Sequence, residues 1–64
     1  MKIENKRHLL IKARKAKALS QDDLAKLMGL STTTICRYEN GERTPNFPTA
    51  KKLCKLLEID LSVF

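Results

Sequence analysis

The chain has 64 residues, 42% of them apolar and 31% charged, a composition that suits a folded domain and excludes a disordered segment. That length supports one small core and argues against a large active-site cleft. Thirteen Lys and Arg against seven Asp and Glu give a formal charge of +6, which suggests a polyanion as partner or, more blandly, a surface built for solubility.

Helical patterns separated by short breaks account for the chain, and no segment reads as a strand. The first helix is expected from about Asn5 to Lys17. Leu10 and Ala13, joined by Leu9 and Ala16, fall at helical spacing and can form one buried stripe. Lys6, Arg7, Lys12, Lys15 and Lys17 are left for solvent.

The second helix begins after Ser20. Ser20 is a good N-cap, and Asp23 three residues on gives an acidic variant of the capping box. Leu19 and Leu24 make a hydrophobic staple. Leu24, Ala25, Leu27 and Met28 supply the apolar side, and Gly29 ends the helix in the left-handed conformation.

The third helix repeats this start, with Ser31 as cap and Leu30 and Ile35 as staple. Ile35 and Tyr38 point inward together, and Asn40-Gly41 stops the helix. After the loop ERTPNFP, a fourth helix is expected from about Phe47 to Leu57. Asn46 is its candidate cap, and Pro48 is tolerated in its first turn. Ala50, Leu53, Cys54 and Leu57 form its buried face. An apolar turn, Leu61 to Phe64, closes the chain.

Two short capped helices joined by Gly29-Leu30-Ser31 describe a helix-turn-helix over about residues 21–40. Small Ala25 lets the third helix approach the second. One face of the third helix is then buried, and the other carries Thr32, Thr33, Cys36, Arg37 and Asn40. Short polar groups and one long cation offer little to a core. They suit the major groove, where hydroxyls reach base edges, threonine methyls touch thymine methyls and arginine binds guanine. In such a motif the N-terminal residues of the second helix meet the bases. Three threonines stand there, at a propensity cost of roughly a few tenths of a kcal/mol each. The bland alternatives are backbone hydrogen bonds for the threonines, a surface salt bridge for Arg37 and simple packing for Cys36.

The run SQDDLAKLMGLSTTTICRYENGERTP resembles the helix-turn-helix of the lambda-repressor-like, Cro/CI (XRE) family of bacterial and phage DNA-binding proteins. The likeness rests on Gln21, Leu24-Ala25, Gly29, Ser31, Ile35, Glu39, Gly41 and Pro45, and continues through Leu53, Leu57 and Leu61 to Phe64. It covers about residues 7 to 64 and implies an all-α, compact four- to five-helix fold, with residues 1–64 expected to form one domain. It also implies roles. Gln21 would contact phosphate and support base-reading side chains at a helix N-terminus. Asn40 and Arg43 would touch the sugar-phosphate backbone, which fixes register without reading sequence. Arg14 and Glu39 would form a structural ion pair that turns the acid away from DNA. The sequence departs from the family at Ala18, where many relatives have glycine, and at Cys36, where they often have serine. A positive φ at Ala18 would cost roughly 1 kcal/mol.

The expected function is that of a sequence-specific, double-stranded DNA-binding transcriptional regulator, a repressor working as a homodimer on a near-palindromic operator. Leu61, Val63 and Phe64 are candidates for the dimer contact, or alternatively close the monomer's own core. A protein-interaction module, such as an antitoxin whose partner is a toxin, is the main competitor. RNA binding is weaker, because only Tyr38, Phe47 and Phe64 could stack bases.

An enzyme is not expected, because His8 stands alone without a nucleophile or carboxylate dyad. Cys36 and Cys54 lack metal-ligand spacing and make a poor zinc set with His8, so no metal or other cofactor is expected. No apolar run approaches the roughly 18 residues that span a bilayer. The basic start runs into LLIKARKA and not into a clean signal segment. A complete, cytoplasmic protein with two reduced thiols is the expectation.

Overall fold

The computed structural model describes residues 6–64, so Asn5, the expected start of the first helix, lies outside the described residues. Four α-helices follow in order: α1 (Arg7–Ala16), α2 (Gln21–Met28), α3 (Thr32–Asn40) and α4 (Phe47–Leu57). A 3-10 turn spans Leu61–Val63, and the described residues contain no strand. The fold is all-α.

Side chains start three of the helices. The Ser20 hydroxyl accepts the Asp23 amide at 3.0 Å, and the Asp23 carboxylate accepts the Ser20 amide at 3.0 Å. The Ser20 amide, followed by the Ser20 hydroxyl beside the carboxylate, holds the Asp23 carboxyl below its ordinary pKa. The Ser31 hydroxyl caps α3 at the Thr34 amide, and Asn46 caps α4 at the Thr49 amide. Each cap satisfies an amide that has no partner inside its helix.

The helix ends share a second device. At the end of α1 the Leu19 amide reaches the Arg14 carbonyl and the Ala18 amide reaches Lys15. The same pair of bonds closes α2 through Leu30 and Gly29, and α4 through Ile59 and Glu58. This arrangement needs a left-handed residue just past the helix. Glycine fills it only after α2; Ala18 and Glu58 take it with φ of 58° and 59°. A Cβ in that conformation is strained. Ala18→Gly should therefore stabilise the protein by about 0.5–1 kcal/mol. A melting temperature higher by roughly 2–8 °C in a calorimeter is the expected reading for a domain of this size. An unchanged or lower value would mean that the Ala18 turn carries no strain.

Leu10, Leu24, Ile35 and Leu53 are the largest fully buried side chains, with Ala25, Met28, Tyr38 and Leu57 around them. Ala25 is 2% exposed, and its small side chain allows the close approach of α2 and α3. The Leu10 stripe is thus narrower than the spacing suggests. Leu9 is 38% exposed and Ala16 is exposed, because both border an open groove between α1 and the end of α4. Leu27 is also not in the core. It is 52% exposed beside Leu19, Asp23 and Lys26, on a side of α2 turned away from the buried Leu24, Ala25 and Met28.

Arg7 departs furthest from expectation, because it is buried. Its guanidinium donates to the carbonyls of Tyr38 and Arg43 and to the Thr44 hydroxyl. The Phe64 ring lies 5.0 Å from it, within cation–π range. Val63 is buried in the monomer and Phe64 packs partly against the main core, so Leu61 is the most exposed of the three C-terminal apolar candidates.

Candidate nucleic-acid interface

The Gly29-Leu30-Ser31 turn sets α3 against α2 and gives it two unlike faces. Ile35, Tyr38 and Glu39 are buried, while Thr32, Thr33, Cys36, Arg37 and Asn40 are all exposed. The exposed set runs along one side of the helix, with Thr33, Arg37 and Asn40 one turn apart in succession. Arg37 makes no hydrogen bond or ion pair among the described residues, so its guanidinium is available.

The threonines are not equivalent. Thr34 is half-buried, and its hydroxyl lies 2.9 Å from that of Ser31. The Thr32 hydroxyl donates to Asp22 at 3.1 Å, which links the start of α3 to the start of α2. Asp22 also lies 3.4 Å from Lys26. Its negative charge is thereby shared with a cation and a hydroxyl at the edge of the exposed face. Thr33 is exposed and has no such bond among the described residues.

Asn40 accepts the Glu42 amide through its side-chain oxygen, a turn that shapes the loop leaving α3. Its amide nitrogen points back to the Cys36 sulfur at 4.0 Å, a weak contact that leaves donor capacity for an outside group. Arg43 is exposed in the same loop.

Gln21 opens α2 and faces the buried acid of α3. Its side-chain amide donates to Glu39 Oε1 at 2.9 Å. The same carboxylate receives Arg14 Nε at 2.6 Å and Arg14 Nη2 at 3.3 Å, while Arg14 Nη1 donates to the Leu19 carbonyl at 2.7 Å. A carboxylate only accepts, so the orientation of the Gln21 amide is fixed by its partner. One N–H of Gln21 and its carbonyl oxygen stay available at the helix N-terminus, where free amides favour a phosphate. Three elements and the turn between α1 and α2 thus meet at Glu39. The negative charge on α3 is neutralised on its buried side.

The two thiols differ in the same way as the faces that carry them. Cys36 is exposed, whereas Cys54 is buried and its sulfur lies 3.7 Å from the Asp60 carbonyl. Burial, and secondarily the charge of Asp60, raises the Cys54 pKa. Under native conditions a thiol reagent should modify one cysteine quickly, identified as Cys36 by peptide mapping. Cys54 should react only on unfolding. Equal native rates would contradict the packing described. No group of three His, Cys, Asp or Glu that could hold a metal occurs among the described residues. No helix there is long and apolar enough to cross a membrane.

A helix-turn-helix with a capped, one-face-exposed second helix defines a class of DNA-binding regulators. The chain belongs to the helix-turn-helix family of XRE type, whose model matches residues 10–64. It is 41% identical over 58 residues to an uncharacterized HTH-type transcriptional regulator of Archaeoglobus fulgidus, covering 89% of this chain and 25% of that protein. It is 38% identical over 50 residues to the ImmF control region 10 kDa protein of Bacillus phage phi105, covering 78% of this chain and 56% of the phage protein. It is 40% identical over 55 residues to multiprotein-bridging factor 1c of Arabidopsis thaliana, covering 86% of this chain and 37% of the plant protein. The chain therefore spans between a quarter and about half of the length of these relatives. No solved structure matches significantly. Family and relatives point to DNA-binding transcription regulation and not to an enzyme.

Sequence reasoning identified the exposed face of α3 but missed Arg7 and Thr44 behind it, and the Thr32–Asp22 bond at its edge. For Asp22 a signal existed, since an acid in the first turn of α2 stands close to the start of α3 in this motif. For Arg7 there was none, because Tyr38, Arg43 and Thr44 lie 31 to 37 residues away and Phe64 farther still.

Proposed function

We propose that the protein is a sequence-specific, double-stranded DNA-binding transcriptional regulator, a cytoplasmic repressor that acts by occupying its operator. The observation that carries this reading is the face of α3. Thr32, Thr33, Cys36, Arg37 and Asn40 are exposed together on a helix whose other side is locked into the core. In the major groove Thr33 and Arg37 read bases, with Thr32 and Cys36 beside them. Gln21, Asn40 and Arg43 hold the sugar-phosphate backbone and set the register. Residues 1–64 act as one DNA-binding domain, with Arg14 and Glu39 as its internal brace.

A surface this small gains from pairing, so the protein binds as a homodimer to a near-palindromic site with half-sites about one helical turn apart. Leu61 leads the pairing surface, with the rim of Phe64 beside it. Sedimentation of the protein–operator complex should give two chains per duplex. One chain per duplex would leave DNA binding standing and remove the dimer.

The second reading, a protein-interaction module of the antitoxin kind, finds its support in the groove bordered by Leu9, Ala13, Ala16 and Ile59, which is mostly apolar. It expects Thr33→Ala with Arg37→Ala to leave biological function intact, whereas the DNA-binding reading expects function to be lost.

A further inference from the structure

Arg7 is 8% exposed, and its fork holds groups that the sequence separates widely. Nη1 donates to the Tyr38 carbonyl at 2.6 Å and to the Arg43 carbonyl at 2.9 Å; Nη2 donates to the Thr44 hydroxyl at 2.9 Å. Tyr38 belongs to the last turn of α3, where carbonyls lack helical donors. The amides of Gly41, Glu42 and Arg43 all turn to the Arg37 carbonyl, and Arg7 takes the one from Tyr38. A cation at this end is also favoured by the helix dipole. The guanidinium also lies over the Phe64 ring, 5.0 Å from its centroid. The Arg43 side chain remains exposed while its own carbonyl is held.

We propose that Arg7 is a positioning residue for DNA binding: it clamps the loop that carries Arg43 to the end of α3, so that Arg43 meets the DNA backbone from a fixed position. The proposal rests on the DNA-binding reading above. Fixing the loop before binding removes an ordering cost that would otherwise weaken the complex. A planar fork suits this task and an ammonium does not, because a lysine brings a point charge without the fixed geometry.

The test measures affinity and its salt dependence on the preferred duplex for the wild type, Arg7→Lys, Arg43→Ala and the double variant, each checked by thermal melting. Arg43→Ala should lower the slope of log K against log salt by about one, as expected for one lost phosphate contact. Arg7→Lys keeps the charge, yet should lower the slope by a similar amount and weaken binding about three- to tenfold. The double variant should bind no worse than Arg43→Ala, because both changes act on one contact. Thr44→Val removes one of the two bonds by which Arg7 holds the loop and should weaken binding in the same direction, which preserves the test if Arg7→Lys does not fold. Wild-type binding by the folded Arg7→Lys, additive losses in the double variant, or no effect of Arg43→Ala would each overturn the proposal. Failure to prefer any duplex would instead overturn the DNA-binding reading itself.

Discussion

Glu39→Ala should unfold a large fraction of the protein at room temperature. The side chain is almost fully buried, and its carboxylate receives bonds from Arg14 Nε and Nη2 and from Gln21. Its removal leaves the buried Arg14 guanidinium with the Leu19 carbonyl as its remaining acceptor here. Breaking a buried pair from one side typically costs about 3–5 kcal/mol, because the surviving charge stays desolvated. A chain of this length has only about 3–10 kcal/mol of stability in total. Urea denaturation followed by circular dichroism should show the midpoint falling to a small fraction of the wild-type value. Arg14→Met combined with Glu39→Leu should be less harmful than Glu39→Ala alone, since no charge is then stranded. A loss below about 1 kcal/mol for Glu39→Ala would mean that the pair behaves like an exposed one.

Arg37→Ala should do the opposite, leaving stability intact and weakening recognition. Arg37 is exposed and has no partner among the described residues, so its loss should change stability by less than about 0.5 kcal/mol. On the preferred duplex it should cost about 1–3 kcal/mol, the worth of a bidentate base contact. On scrambled duplex the cost should be much smaller, so discrimination falls together with affinity. Thr33→Ala should act in the same direction more weakly, because a hydroxyl and a methyl make smaller contacts than a guanidinium. Titration of both duplexes with each variant separates the effects. An equal loss on both duplexes would assign Arg37 to the phosphate backbone and not to the bases.

The contrast between these two variants follows how the sequence encodes the fold. Ser20, Ser31, Asn46, Gly29 and Gly41 were legible because a cap acts within three or four residues of itself. The inward Ile35 and Tyr38, and hence the outward α3 face, followed from helical spacing. The ends of α1 and α4 were legible to within a residue from helical spacing, but the left-handed conformation of Glu58 was not, since it lacks the glycine that marks such a turn. Arg7 was not legible at all. An arginine at the start of a basic helix looks like a solvated charge until α3 and its loop are folded against it. Val63 was undecided for a similar reason: an apolar residue near a chain end can face its own core or a second copy, and only packing distinguishes them.

Selection of bound duplexes from a randomised pool, at near-physiological salt, tests most directly whether α3 reads a DNA sequence. The expected result is a two-fold-symmetric consensus, with preference for it lost in the Arg37→Ala, Thr33→Ala variant while that variant melts like the wild type. A pool that stays random, with binding that vanishes equally for all duplexes as salt rises, would contradict it. The basic charge alone would then explain the affinity.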